Sequence, residues 1–263
     1  MTVLSHRSAL ADLVRGFVVA SLAVVQAVVS GMAGLGAAGT PVADVVAAYP
    51  TPLLVARWAY VIWVPIGLGF LAYAAYQLLP GQRHRMIHRR TGWWLAAAAL
   101  LNTCWLLALG GHAIPLAELF LIALLIAAAV PFGRLSREPA TDRVERLVFR
   151  TPVAILTGWV SITGMSATAF TGAWAGLPSN NAIAGVAAVV VLVAVAAIVA
   201  WVVLSGTAVV GYTAAAVWTL AGIAGGEPPA PVLIAVVTVI VIVLASTARR
   251  LAAAGNPPRA AWG

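Results

Sequence analysis

Apolar runs of about 20 residues recur along this chain, and that is the length a helix needs to cross the hydrocarbon core of a bilayer. They fall at roughly 16–38, 53–79, 92–111, 114–132, 151–172, 182–204, 207–225 and 231–248, each rich in Ala, Val, Leu and Gly. Inside lipid a backbone must satisfy its own hydrogen bonds, and within one continuous segment only a helix does so. The predicted fold class is therefore all-α, a polytopic membrane helix bundle of about eight transmembrane helices. Composition agrees: 63% of residues are hydrophobic and 8% charged, where an average soluble domain is about a quarter charged. The least marked boundary is Leu204-Ser205-Gly206-Thr207, which must turn inside an apolar stretch too long for a single crossing.

Charge placement orients the spans. The 263 residues include 15 arginines, no lysine and seven acids, for a formal charge of +8. Arg7 and Arg15 precede span one; Arg83, Arg85, Arg89 and Arg90 follow span two; Arg134, Arg137, Arg143, Arg146 and Arg150 follow span four; Arg249, Arg250 and Arg259 follow span eight. The alternate loops hold Asp44, the Gly111–Ile114 turn, the Gly172–Asn181 segment and Glu227, without arginine. With eight spans all the arginine loops share one side, which the positive-inside rule makes cytoplasmic. The expectation is a multi-pass protein of the inner (plasma) membrane with both termini in the cytoplasm. Arginines spread over short loops form no aromatic-interleaved basic groove, so nucleic acid is excluded as a partner and anionic lipid headgroups are expected.

The first span, preceded by His6, Arg7 and Arg15 and followed by Ala37-Ala38-Gly39, loosely resembles a signal peptide, but its apolar run is longer than a signal core and reads as a retained helix. The sole cysteine, Cys104, leaves no disulfide within the chain and no cysteine-based metal site. Ser136–Arg150 is the one long charged segment. Within it Thr141-Asp142-Arg143-Val144-Glu145 carries a helix-start signal, predicting a short amphipathic lead-in to span five, anchored at headgroups or docked to a cytoplasmic partner.

No HExxH, paired carboxylates, Cys/His cluster or GxSxG occurs in the spans, so no catalytic residue and no metal ligand is predicted and an enzyme has little support. His84 and His88 are four apart but lie among four arginines, and read as a solvated basic loop. Ionisable groups near spans are functional candidates because burying charge in lipid is costly. Arg57 and Glu118 share a depth near the outer ends of spans two and four, as a candidate ion pair or as two side chains reaching separately for the interface. His112, at the turn before Glu118, joins them or stays an exposed loop residue.

Ten tryptophans are the informative residue type. Trp58, Trp93, Trp94, Trp174 and Trp201 fit an aromatic belt at headgroup level. Trp63, Trp105, Trp159 and Trp218 lie deeper, where an indole N–H needs an acceptor or a ligand. Asn102 precedes Trp105 by three residues, so the two are about 60° apart on one helix face, with Trp94 about 20° from Trp105 on the same stripe. That amide serves as interhelical glue, as a ligand contact, or as both.

These residues resemble the TspO/MBR family, the tryptophan-rich sensory proteins related to the translocator protein, in its long bacterial form. The match is carried by Trp58-Ala59-Tyr60-Val61-Ile62-Trp63, by Leu101-Asn102-Thr103-Cys104-Trp105, and by Glu145-Arg146-Leu147 with Pro152 and Gly158-Trp159-Val160. Gly211-Tyr212 and Trp218-Thr219-Leu220-Ala221-Gly222-Ile223 extend it toward the C-terminus. The resemblance implies a TspO-like five-helix core over 1–175, with three further helices and a short tail over 176–263. It further implies a sensory or receptor-like protein that binds a flat hydrophobic ligand, a porphyrin or other tetrapyrrole, with no bound cofactor otherwise. Trp63, Asn102, Trp105 and Trp159 match pocket positions, and Trp94 and Tyr60 extend them. A small-solute transporter is the alternative, and a homodimer is open as its assembly.

Overall fold

The structure, a computed structural model, describes the backbone from Thr2 and side chains from Ala9 onward, so the expected roles of His6 and Arg7 lie outside the described side chains. The described residues form helices without strands. In order these are α1 (Thr2–Gly34), the short α2 (Val42–Ala47), a 3-10 segment (Arg57–Ile62) running into α3 (Trp63–Leu78), α4 (Met86–Gly110) and α5 (Ile114–Arg137). Then follow α6 (Arg143–Glu145), a π-helical turn (Arg146–Arg150) and α7 (Thr151–Trp174) as one rod, and α8 (Ala182–Ser205), α9 (Val209–Ala224), α10 (Ala230–Ala252) and α11 (Pro257–Trp262). The 3-10 turn has a local cause. Pro65 has no N–H to give the Val61 carbonyl, so the α-helical ladder cannot extend unbroken toward the N-terminus.

Seven of these segments are long and apolar enough to cross a membrane. The eighth expected span, α9, has 16 residues, a rise of about 24 Å against a core of about 30 Å. It nonetheless runs from one end of the bundle to the other. Before its first turn, Arg250 donates to the Gly206 carbonyl (3.1 Å) and Thr207 N–H to Ser136 Oγ (3.4 Å), both at the arginine-rich end. Near its last turn the Gly222 carbonyl accepts from Ala56 N–H (2.9 Å) at the opposite end. The expected turn at Ser205-Gly206 is present: α8 stops at Ser205, and Ala208 takes the left-handed conformation (φ 57°) that starts α9.

α8 and α10 pack along matched stripes, Ala188, Leu192, Ala196, Val199 and Val203 against Val232, Val236, Val239, Val243 and Thr247. Their outer faces, with Ile183, Val186, Val190, Ile234 and Val241, are exposed and apolar, as lipid contact requires. α9 is different in kind. It lies against α7 and α10 and shares one hydrophobic cluster with the N-terminal helices, so α9 joins α8 and α10 to the rest of the bundle. Glycines make this contact possible, among them Gly158 and Gly222 within the helices themselves. A Cβ on Gly158 would stand 2.3 Å from the Tyr212 carbonyl oxygen, and one on Gly222 would stand 2.7 Å from Ala59 Cβ. The sequence division near residue 175 is thus crossed by backbone-to-backbone packing.

The arginine-rich end is braced by two buried acids. Asp12 accepts from Arg15 (2.7 Å), Arg89 (2.5 Å) and His84 (3.0 Å), tying α1 to α4. Glu145, fully buried, accepts from Arg85 (2.7 Å) and from Arg150 Nε (3.0 Å) and Nη2 (2.9 Å), while Asp142 caps its N–H (2.7 Å). The helix start predicted at Thr141-Asp142 is present, but its lead-in is a buried brace with exposed edges, because Glu145, Phe149 and Arg150 turn inward. His88 departs from the expected solvated loop: α4 begins at Met86, which carries His88 into the core against Phe149 (ring centroids 5.1 Å apart) and Tyr73 (5.7 Å). His84 alone stays at the partly exposed rim.

Replacing Gly158 by alanine is expected to separate α7 from α9 and cost about 1–3 kcal/mol, lowering the detergent melting temperature. Gly164→Ala on the same helix meets nothing within 4 Å, and is expected to leave that temperature unchanged or raise it. Equal melting temperatures for the two variants would refute the packing described.

Candidate functional site

At the end away from the arginines, α4, α5 and α7 line a cavity roofed by the chain between α2 and α3. Its free volume, mouth included, is about 560 Å³, of which about 40 Å³ can be reached by the centre of a water molecule. Leu53, Leu54 and Val55 form the roof, held at one end by the Ala56 N–H to Gly222 carbonyl bond and at the other by Tyr49, edge-on to Phe170 (5.6 Å, 71°). Leu109, Ile114 and Leu121 are apolar wall.

The aromatic side chains are contiguous. Trp159, 1% exposed, meets Tyr60 (5.9 Å, 77°) and Trp63 (6.2 Å, 80°) edge-on, and Trp63 lies tilted on Trp105 (5.6 Å, 35°). Such T-shaped and offset contacts are the ones the ring quadrupole favours. Tyr60, Trp105 and Trp159 line the cavity, while Trp63 stands behind the two indoles. The wall of α7 continues as a stripe from Trp159 through Thr163, Ser166 and Phe170, three residues that sequence reasoning missed. Offsets of 4, 7 and 11 residues from Trp159 fall within about 40° of one direction, so the stripe was legible from Trp159 had it been followed.

Glu118 also faces the cavity, from α5. Its carboxylate accepts from Thr168 (2.6 Å) and Thr171 (3.3 Å) of α7. Arg57 does not reach it: Arg57 pairs with Asp44 at the exposed start of the 3-10 segment. The ion pair considered between them is replaced by two separate partnerships, because α2 folds back to place Asp44 beside Arg57. His112 bonds Thr40 Oγ1 (3.0 Å) on the neighbouring loop and stays exposed. Trp94 does not line the cavity and lies under the Arg134 guanidinium (5.9 Å to the ring centre), whose Nη1 donates to the Arg90 carbonyl. The stripe from Asn102 through Trp105 therefore does not extend to Trp94 as a single lining.

The profile of the TSPO-like protein family matches residues 16–249, from α1 through most of α10. The chain belongs to this family. The TspO/MBR resemblance read from the tryptophan motifs is borne out, and the TSPO-like match spans the C-terminal helices as well as the first five. No curated protein and no solved structure matches the chain.

In this TSPO-like protein Trp218, the fourth deep tryptophan, has a structural partner: its indole donates to the Ala59 carbonyl (2.8 Å) and stands edge-on to Trp58 (5.0 Å). Asn102 is another matter. It is fully buried one turn from Trp105, and neither amide atom has a hydrogen-bond partner; the Trp63 indole nitrogen and the Ser166 hydroxyl are in the same position. An unmet amide costs about 1–3 kcal/mol. Asn102→Leu is accordingly expected to raise the melting temperature of the ligand-free protein; a fall would show that the amide is bonded within the bundle.

Proposed function

We propose that this TSPO-like membrane protein is a non-catalytic receptor or carrier that holds a flat, largely apolar ligand in the cavity among Tyr60, Trp105 and Trp159, with Trp63 and Asn102 supporting the site from behind. The observation that carries this reading is the contiguous aromatic wall around an enclosed apolar space, the usual make-up of a small-molecule site. Tetrapyrroles are the ligand class that the family resemblance implies. A molecule of that size needs a pocket of several hundred Å³, far beyond the roughly 40 Å³ open to water, so binding requires the Leu53–Val55 roof to lift. Spending two indoles and a tyrosine on such a wall costs little in stability, because they bury one another when the site is closed.

The reading extends to orientation. The arginine-rich end faces the cytoplasm of an inner membrane, supported by the clustering of Arg83, Arg85, Arg89, Arg90, Arg134 and Arg150 at one end of the bundle. The cavity then opens toward the outer leaflet.

Titration with an uncharged alkyl porphyrin, followed by tryptophan quenching, is expected to saturate. Trp159→Phe and Trp105→Phe are each expected to weaken binding about two- to tenfold, the worth of one aromatic contact. Quenching that never saturates, or affinities untouched in both variants, would sink the assignment.

A further inference from the structure

We propose that the cavity selects for positive charge: its ligand is an organic cation, a flat apolar body bearing one ammonium or aromatic-iminium charge, with Glu118 as counter-ion. This inference rests on the cavity being a ligand site and names the class of ligand it takes.

Four observations converge on it. First, among the described residues that line the cavity Glu118 is the one charged side chain, and no Arg or His stands with it. Arg57, the arginine at this end of the bundle, is committed to Asp44 instead. A ligand carboxylate would thus enter without a counter-charge and next to an acid, at a dielectric far below that of water. Second, the acid is held in place by two hydroxyls and no cation. Thr171 donates its hydroxyl hydrogen to one oxygen, and Thr168 shares its single hydroxyl hydrogen between the other (2.6 Å) and the Gly164 carbonyl of its own helix (3.1 Å), leaving acceptor capacity on both. Third, the same wall presents Tyr60, Trp105, Trp159 and Phe170, and the faces of such rings attract cations, most strongly where water is excluded. Fourth, the Ser166 hydroxyl, 9% exposed, lines the cavity without a partner, which leaves an oxygen free to accept from a ligand N–H.

Geometry suits an amphiphile as well. Thr168 lines an adjoining apolar groove between α7 and α8, and Thr171 lines the cavity itself. The carboxylate they share therefore stands at the boundary between lipid-facing groove and enclosed site. The competing account of Glu118 is that it only fastens α5 to α7 through the two threonines.

Three flat tricycles of one size separate these accounts: 10-methylacridinium (cation), 9-methylanthracene (neutral) and anthracene-9-carboxylate (anion), each titrated against the full chain in lipid nanodiscs by tryptophan quenching. The wild type is expected to bind them in that order, the cation at least tenfold tighter than the neutral isostere. In Glu118→Gln the ratio of cation to neutral affinity is expected to fall to about one and the anion to gain relative to both. Glu118→Asp, which keeps the charge, is expected to keep the order, and so guards against a folding defect being read as lost selectivity. A wild type without preference for the cation, or a Glu118→Gln variant that shifts all three affinities together, would overturn the proposal. Saturable, Trp159-dependent binding of 9-methylanthracene without charge preference would remove this inference alone; saturation by none of the three would remove the cavity reading with it.

Discussion

Helices already in lipid gain nothing by hiding apolar surface from one another, so their association must come from close van der Waals contact and from polar groups with nowhere else to go. Gly158 is where this bundle meets that demand most directly. With no side chain in the way, the backbone of α7 comes against the Tyr212 carbonyl of α9, and α9 in turn reaches the 3-10 segment through Gly222 and the Trp218 indole. The position of Tyr60, and so one wall of the cavity, is inherited from these contacts. A helix too short to look like a strong membrane span ends up as the keystone between the two halves of the chain.

The buried acids that each gather several arginines lie at the other end. Asp12 and Glu145 each gather arginines from separate helices, and removing one partner of such a buried group would strand the rest. The two ends differ in kind: the arginine-rich end is locked by buried multi-arginine clusters, while the roof of the cavity is held by apolar contacts and a few single hydrogen bonds. Local opening is cheapest where few polar contacts must break, which places the adaptable part of the molecule over the aromatic wall and the rigid part at the opposite face.

Much of this was legible from sequence, and the reasons differ by element. The helices follow from hydropathy because lipid leaves the backbone no alternative, and the motifs around Trp63, Trp105 and Trp159 marked side chains that do come together. The Arg57–Glu118 pair and the role of Trp94 were not legible, since depth in a membrane says nothing about rotation around the helix axis or about a short turn such as α2. His88 was read as a loop residue because charge density suggested solvent, and Glu145 as part of an amphipathic lead-in at the surface; what buried both was the helix starting earlier than the apolar run and turning them inward. Ser166 and Phe170 were within reach by helical periodicity, but they have neither the size nor the rarity of tryptophan. The packing of α9 into the core could not be read from hydropathy, which measures how apolar a segment is and not which neighbour its glycines admit.

The roof over the cavity is fastened unevenly. Its C-terminal end is pinned by a backbone bond from Ala56 to Gly222 and by Leu54 lying close over Gly226, whereas its N-terminal end rests on one edge-on ring contact between Tyr49 and Phe170. A segment fastened in that way is held more tightly near Ala56 than near Tyr49, and local opening costs least where fewest contacts break. The lightly held side of the roof faces the gap between α2 and the C-terminal end of α7, and the C-terminal helices, though they contribute nothing to the wall itself, hold the opposite side.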